Sequence, residues 1–179
     1  QYLLLDGVVM KNRAALGAEK RIILVAKGIS KEGRKQILSF SQVESESEVC
    51  WTAFLEGLYA RGFQGKNLEM ITTDGNPGIE AALATQWPNV PHQRCWVHKL
   101  RNIASKLRKK NEQECLAGAK QIYLAENRKE AVQVFRDWRR KWAEIEPKAV
   151  ACLTRDIEKM LHFFDLPKPD QITMRTTNA

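Results

Sequence analysis

The stretch Tyr2-Leu3-Leu4-Leu5-Asp6-Gly7-Val8-Val9-Met10 constrains the chain more than any other. An apolar run with no helix breaker before Gly7 fits a strand in a buried sheet position. Successive strand side chains alternate between faces, so Asp6 points the same way as Leu4 and Val8. A carboxylate on such a face loses much of its hydration, and unpaired it either destabilises the fold or takes up a proton. A divalent cation removes that penalty, because an ionised carboxylate is the ligand a hard metal prefers. Two plainer readings stand beside this one: Asp6 marks a strand end, or it pairs with an arginine. A second aspartate further along bears on the choice.

The first third of the chain reads as a three-stranded meander. After a strand over 2–11, the polar segment 12–20 with Gly17 predicts a turn or loose hairpin connection. A second strand follows over 21–26 and a third, at the sheet edge, over 36–43. Ser45 with Glu48 predicts a capping box, and Trp51, Leu55 and Leu58 recur at helical spacing until Arg61-Gly62 ends the helix. The run 67–73 predicts a fourth strand, and Asn76-Pro77 a helix start with Asn as cap and Pro preset for the first turn. A strand that follows a helix and feeds another implies a parallel crossover, which puts Asp74 at the carboxyl end of its strand. Ligands bind at such corners in open α/β sheets, although Asp-Gly alone also suits a simple Asx-turn. Paired with Asp6 on a neighbouring strand, Asp74 favours the metal reading.

Pro88 and Pro91 bound a loop before 93–102, which predicts a short fifth strand turning into a helix. Cys95-x-x-His98 has zinc-compatible spacing, but no second close Cys/His pair completes four ligands, so packing or a capping hydrogen bond is preferred. From Lys99 to Phe164 the pattern is helical. Lys99, Arg101, Lys106, Arg108, Lys109 and Lys110 fall in a segment without an acid, either a solvated face or a phosphate-contacting one. Ala131, Phe135, Trp138 and Trp142 form an apolar stripe, which makes the tryptophans core residues rather than base-stacking ones. A last helix is expected from Pro147 through Phe164, ended by Pro167 and Pro169.

The net charge of +8 favours an anionic partner. Nucleic acid is preferred to a membrane, since no apolar run approaches the roughly 18–20 residues of a spanning helix. Gln1 leads into a strand with no signal-peptide pattern, and the four widely spaced cysteines suit a reduced, intracellular protein.

The landmarks Leu5-Asp6-Gly7, Lys27-Gly28, Glu32-Gly33-Arg34-Lys35, Ser45-Glu46-Ser47, Trp51, Arg61-Gly62, Thr73-Asp74-Gly75, Gln93-Arg94-Cys95-x-x-His98, Arg101-Asn102 and Arg175-Thr176-Thr177-Asn178 run in one order along the chain. The ordered set resembles the Mutator-type bacterial insertion-sequence transposases. The resemblance implies an α/β, RNase H-like fold: a mixed five-stranded sheet with flanking helices and an all-helical insertion after the fifth strand. It divides the chain into 1–98 as the first part of the catalytic core, 99–168 as the helical insertion and 169–179 as the return to the core. It implies a DDE transposase: metal-dependent cleavage and strand transfer of DNA, with Asp6 and Asp74 brought side by side as catalytic metal ligands. The cofactor implied is Mg2+, with Mn2+ as a substitute. Arg94, Lys99, Arg101, Lys106, Arg108 and Arg175 are the expected phosphate contacts, and Cys95 and His98 a structural motif. The partners implied are transposon-end and target DNA, with the protein a homo-oligomer on DNA in the bacterial cytoplasm.

The resemblance also implies a third acid just after Arg175-Thr176-Thr177-Asn178, on a helix that Thr177-Asn178 would cap. Glu158, Asp165 and Asp170 all precede that motif, Asp170 being the least implausible substitute. The sequence is therefore read as a catalytic domain clipped at both ends, inactive or nearly so alone, with residues 175–179 frayed or held only by packing. Two other classes remain open: a non-catalytic nucleic-acid-binding or assembly module, and an RNase H-like nuclease outside transposition.

Overall fold

The computed structural model describes residues 1–14 and 17–177, and the side chains of 1–10 and 21–177. The chain divides into two compact units, Gln1–His92 and the residues from Gln93 onward. In the first unit, strands β1 (Tyr2–Ala14), β2 (Gly17–Ile29) and β3 (Lys35–Val43) lead to helix α1 (Glu48–Ala60), strand β4 (Met70–Thr73) and helix α2 (Pro77–Gln86). Strand β5 (His92–Arg94) carries the chain across the boundary. The architecture is α/β, with a mixed five-stranded sheet in the order β3-β2-β1-β4-β5. β1 and β2 pair antiparallel, as do β2 and β3, whereas β1 and β4 pair parallel.

Alternation in β1 works as its composition dictates. Leu3 and Leu5 share a core with Leu24, Ile71, Trp51, Leu55 and Ile79, so α1 and α2 cover that face. β4 is buried at all four positions, as a strand covered on both faces should be. α1 ends where Gly62 takes φ 95°, while the amides of Gly62 and Phe63 close on the carbonyls of Tyr59 and Leu58 in a Schellman arrangement. Phe63 then meets Trp87 edge-on, with ring centroids 5.7 Å apart.

The second unit is helical after β5: α3 (Trp96–Ala104), α4 (Lys109–Leu124), α5 (Arg128–Trp142), α6 (Pro147–Thr154), α7 (Ile157–Met160), a 3-10 turn (His162–Asp165) and α8 (Lys168–Met174). Ala131, Phe135, Trp138 and Trp142 are buried, as their stripe requires. Trp138 donates its indole N–H to the Cys115 carbonyl at 2.9 Å, and its ring fills the space a Cβ at Gly118 would occupy. The side chain of Gln93 is fully buried. Its amide N–H groups reach the carbonyls of Met160 and Arg94, and its Oε1 accepts from the Phe163 amide at 2.9 Å.

Four expectations change. The polar segment 12–20 is not a loose connection: β1 and β2 continue through it, paired to Ala14↔Gly17, and the residues between lie outside the described set. The cap of α1 is Ser47, whose Oγ accepts from the Cys50 amide at 3.3 Å, because the helix starts two residues later than a Ser45 box requires. The helix expected over 147–164 is interrupted at Arg155-Asp156, where a carboxylate is needed inside the unit. Pro167 and Pro169 open α8 rather than end its predecessor, which fits proline's tolerance in a first turn.

Candidate active site

Asp6 and Asp74 come together through register. Leu4 pairs with Thr72 and Leu5 with Thr73 in the parallel β1–β4 ladder, so the two aspartates are the next step along each chain. Neighbouring strands run about 4.8 Å apart. β4 ends at Thr73, which leaves Asp74 on the corner that leads into α2. That corner is closely built. Gly75 takes φ 80°, and its amide donates to Thr73 Oγ1 at 3.0 Å. The same hydroxyl lies 2.7 Å from Nε2 of His92. Asp74 Oδ1 accepts from the Asn76 amide at 3.0 Å, an Asx-turn, and Asn76 caps α2 by accepting from Gly78 at 2.7 Å. A Cβ on Gly78 would stand 2.5 Å from the Glu46 carbonyl oxygen, so glycine is what lets α2 begin against the backbone entering α1.

A third acid, Glu46, stands close by. Its carboxyl carbon lies 2.5 Å from where a Cβ on Gly7 would be, and Oε2 accepts from Asn76 Nδ2 at 3.4 Å. Gly7 faces the opposite way from Asp6, so Glu46 lies on the other sheet face. Among the described residues no three His, Cys, Asp or Glu side chains converge on a common metal position. The donor set is therefore two carboxylates at adjacent strand positions. Like charges so placed repel, and a hard divalent ion that keeps most of its waters fits them.

The basic residues separate into inner and outer ones. Arg94 and Lys99 are buried, 9% and 2% exposed, and both pair with Asp156: Arg94 Nη1 at 2.7 Å from Oδ1, Lys99 through Oδ2. Lys99 Nζ also donates to the Cys152 carbonyl at 3.4 Å. Burial would raise the Asp156 carboxyl, but the Lys99 hydrogen bond and the two neighbouring cations outweigh it and hold the group below its ordinary value. Arg94 and Lys99 thus carry internal ion pairs and do not present a charge for phosphate. Arg108 donates to Glu146 at 2.9 Å and to the Ile145 carbonyl, while Arg101 and Lys106 are exposed. The Arg175 guanidinium lies 5.0 Å from the Tyr123 ring centroid. Of the later acids, Glu158 and Asp165 pair with Arg128, and Asp170 sits in the first turn of α8.

Cys95 and His98 also have defined partners. Cys95 is the N-cap residue of α3. Its sulfur accepts from the Thr177 amide at 3.3 Å and Oγ1 at 3.6 Å, and lies 3.5 Å from Thr176 Oγ1. Burial pushes the thiol up, but hydrogen bonds from the His98 side chain, Thr176 and the His98 and Thr177 backbones outweigh it, bringing it from 9.0 down to about 6. Residues 175–177 are therefore not frayed: Thr177 is 5% exposed, and the Trp96 amide donates to the Arg175 carbonyl at 2.9 Å. Asn178 and Ala179 lie outside the described residues.

Sequence reasoning missed Asp156, Glu46 and the threonine partners of Cys95. A mid-strand Gly7 was the one available signal for Glu46, since glycine there marks a close approach. Nothing near residue 99 points to an acid 57 residues later.

The family model described as "Transposase, Mutator family" matches residues 1–179. The chain is 34% identical over 177 residues to the transposase for insertion sequence element ISRM5 of Rhizobium meliloti, covering 99% of this chain and 44% of that protein. It is 37% identical over 164 residues to the transposase for IST2 of Acidithiobacillus ferrooxidans, covering 91% and 55%. Against the transposase for IS6120 of Mycolicibacterium smegmatis it is 33% identical over 177 residues, covering 99% and 54%. The chain thus spans about half the length of the curated relatives it matches.

Proposed function

The chain belongs to the Mutator family of transposases, and on that premise we propose that it forms the catalytic part of a DDE enzyme that cuts insertion-sequence ends and joins them to target DNA. The observation that carries the reading is the parallel register Leu5↔Thr73, which sets Asp6 and Asp74 side by side at the carboxyl end of β4. The sheet order and its antiparallel-then-parallel pairing support an RNase H-like core, with 99–168 as its helical insertion and 169–179 returning to it.

Asp6 and Asp74 would hold magnesium, or manganese in its place. When bound, such ions lower the pKa of a nucleophilic water or 3′-hydroxyl and stabilise the departing oxygen of an in-line displacement. The two carboxylates supply the negative charge for this and fix its position, Asp6 from within the sheet and Asp74 from a corner held by its Asx-turn. Arg101 and Lys106, exposed on and just after α3, are the residues we assign to phosphates, where they add affinity without reading sequence. The third carboxylate belongs after Arg175-Thr176-Thr177-Asn178, so residues 1–179 alone bind DNA and show no appreciable cleavage. The partners proposed are transposon-end and target DNA, engaged by a homo-oligomer in the bacterial cytoplasm. Among the described residues no helix is long and apolar enough to cross a membrane.

Thermal melts in rising magnesium and manganese test the site. The wild type gains stability with metal as ligand binding to the native state requires, whereas Asp6→Asn and Asp74→Asn lose that gain. In metal-free buffer both variants are as stable as the wild type or more so, because one of two neighbouring charges is gone. Equal metal response in all three proteins refutes the assignment.

A further inference from the structure

The strongest group that the proposed chemistry leaves unused is the buried thiol of Cys95. Its donors come from two separated segments of the helical unit. His98 approaches from the first turn of α3, while Thr176 and Thr177 lie beyond the end of α8. The Thr177 amide and hydroxyl both donate to the one sulfur. Nearby, the Trp96 amide donates to the Arg175 carbonyl, so two consecutive residues at the start of α3 hold Arg175 and Thr177. So many donors on one sulfur match a thiolate, whose bonds are charge-assisted, better than a thiol, which accepts weakly. The partners are hydroxyls, amides and one imidazole, with no second sulfur among them, which is not the donor set of a structural zinc site.

We infer that Cys95, oriented by His98, is a latch that docks the segment Arg175–Thr177 onto the start of α3, and that both are positioning residues for the acid that comes after Asn178. The docking itself is independent of the proposed function. Its consequence rests on that reading: the third carboxylate comes within a few residues of Asn178, so the latch sets where it stands. Loss of the latch then slows the chemical step without weakening DNA binding.

The test uses the full-length protein with Cys95→Ala and Cys95→Ser. Amide hydrogen exchange is read at Thr177, with Ile122 of α4 and Phe135 of α5 as references. Cys95→Ala is expected to speed exchange at Thr177 at least tenfold and leave the references unchanged. Cys95→Ser, which keeps a small acceptor, recovers most of the protection. Should Cys95→Ala loosen the references too, His98→Gln carries the same test, since it removes a donor without opening a cavity at the sulfur. Unchanged exchange at Thr177 in the variant that keeps its references overturns the latch, as does stoichiometric zinc that is lost with Cys95. On transposon-end DNA in magnesium, Cys95→Ala lowers kcat at least tenfold at unchanged Kd, with partial rescue by Cys95→Ser. A variant that loses Thr177 protection yet cleaves at the wild-type rate overturns the positioning role. A wild-type protein that never cleaves refutes the proposed function instead, and the exchange measurement still decides the latch.

Discussion

Replacing Asp156 with asparagine keeps the shape and removes one charge, which isolates the ion cluster inside the helical unit. Arg94 and Asp156 are 2.7 Å apart at the charged atoms, and charges so close attract by roughly 6 kcal/mol gross at an effective dielectric of about 20. Desolvation offsets much of that while both charges are present. In Asp156→Asn the offset is no longer met, because the Lys99 ammonium and the Arg94 guanidinium stay buried with no counter-charge. Arg155, 74% exposed at its side chain, is too solvated to matter. Breaking a buried pair by removing one partner costs about 3–5 kcal/mol, a large part of the roughly 5–15 kcal/mol that holds a domain together. Urea unfolding followed by far-ultraviolet dichroism measures it as a lower midpoint at unchanged slope. The double variant Asp156→Leu with Lys99→Met should recover much of the loss, since it removes an ion pair rather than half of one. The pH dependence has a fixed sign. The Asp156 carboxyl lies below 3.8 in the folded protein, so its contribution is present above that value and lost as pH falls through the lower folded value. The variant lacks that acid-side loss. A destabilisation under about 1 kcal/mol would refute the reasoning, because an exposed pair gives no more than that.

The same cluster predicts which cations matter for DNA. Neutralising Arg101 or Lys106 should flatten the salt dependence of binding by roughly 0.9 per lost phosphate contact, whereas Lys99→Met leaves the slope unchanged; equal effects would show that Lys99 reaches DNA. Cys95 adds stability that is fully present above pH 9.0, its ordinary value, and is lost as pH falls through about 6. The stability difference between wild type and Cys95→Ala should therefore shrink across that window in melts run at stepped pH, and a constant difference would exclude a thiolate. Gly75→Ala forces a side chain into φ 80° and should destabilise the first unit by about 1–3 kcal/mol, read by urea unfolding.

Local chemistry carried into the structure well. Asn76 and Pro77 start α2 because cap and fixed φ act over one turn, and Trp138 and Trp142 are buried because period alone decides a helix face. The adjacency of Asp6 and Asp74 needed the strand order, which came from the resemblance and not from either residue. Polarity misled at 12–20, where a two-stranded ladder needs backbone pairing and no apolar side chains. It misled again at Arg94 and Lys99, whose charge faces inward because an acid far along the chain meets them. Proline punctuates a helix at either end, so Pro167 and Pro169 could not say which end they marked.

Gln93 places a chemical filter at the entrance to the helical unit. Its carbonyl must accept from Phe163 while its amide donates to Met160 and Arg94, so the position selects for a group with both polarities rather than for size. Glutamate has the shape but no donors, methionine has the volume but neither function, and asparagine falls one methylene short. Many substitutions elsewhere in the interior can be absorbed by repacking neighbours of equal volume. Here the neighbours are backbone groups, which have no alternative rotamer and cannot adapt. Sequences free to drift around this fold are thus held at one side chain by the polarity of three peptide units.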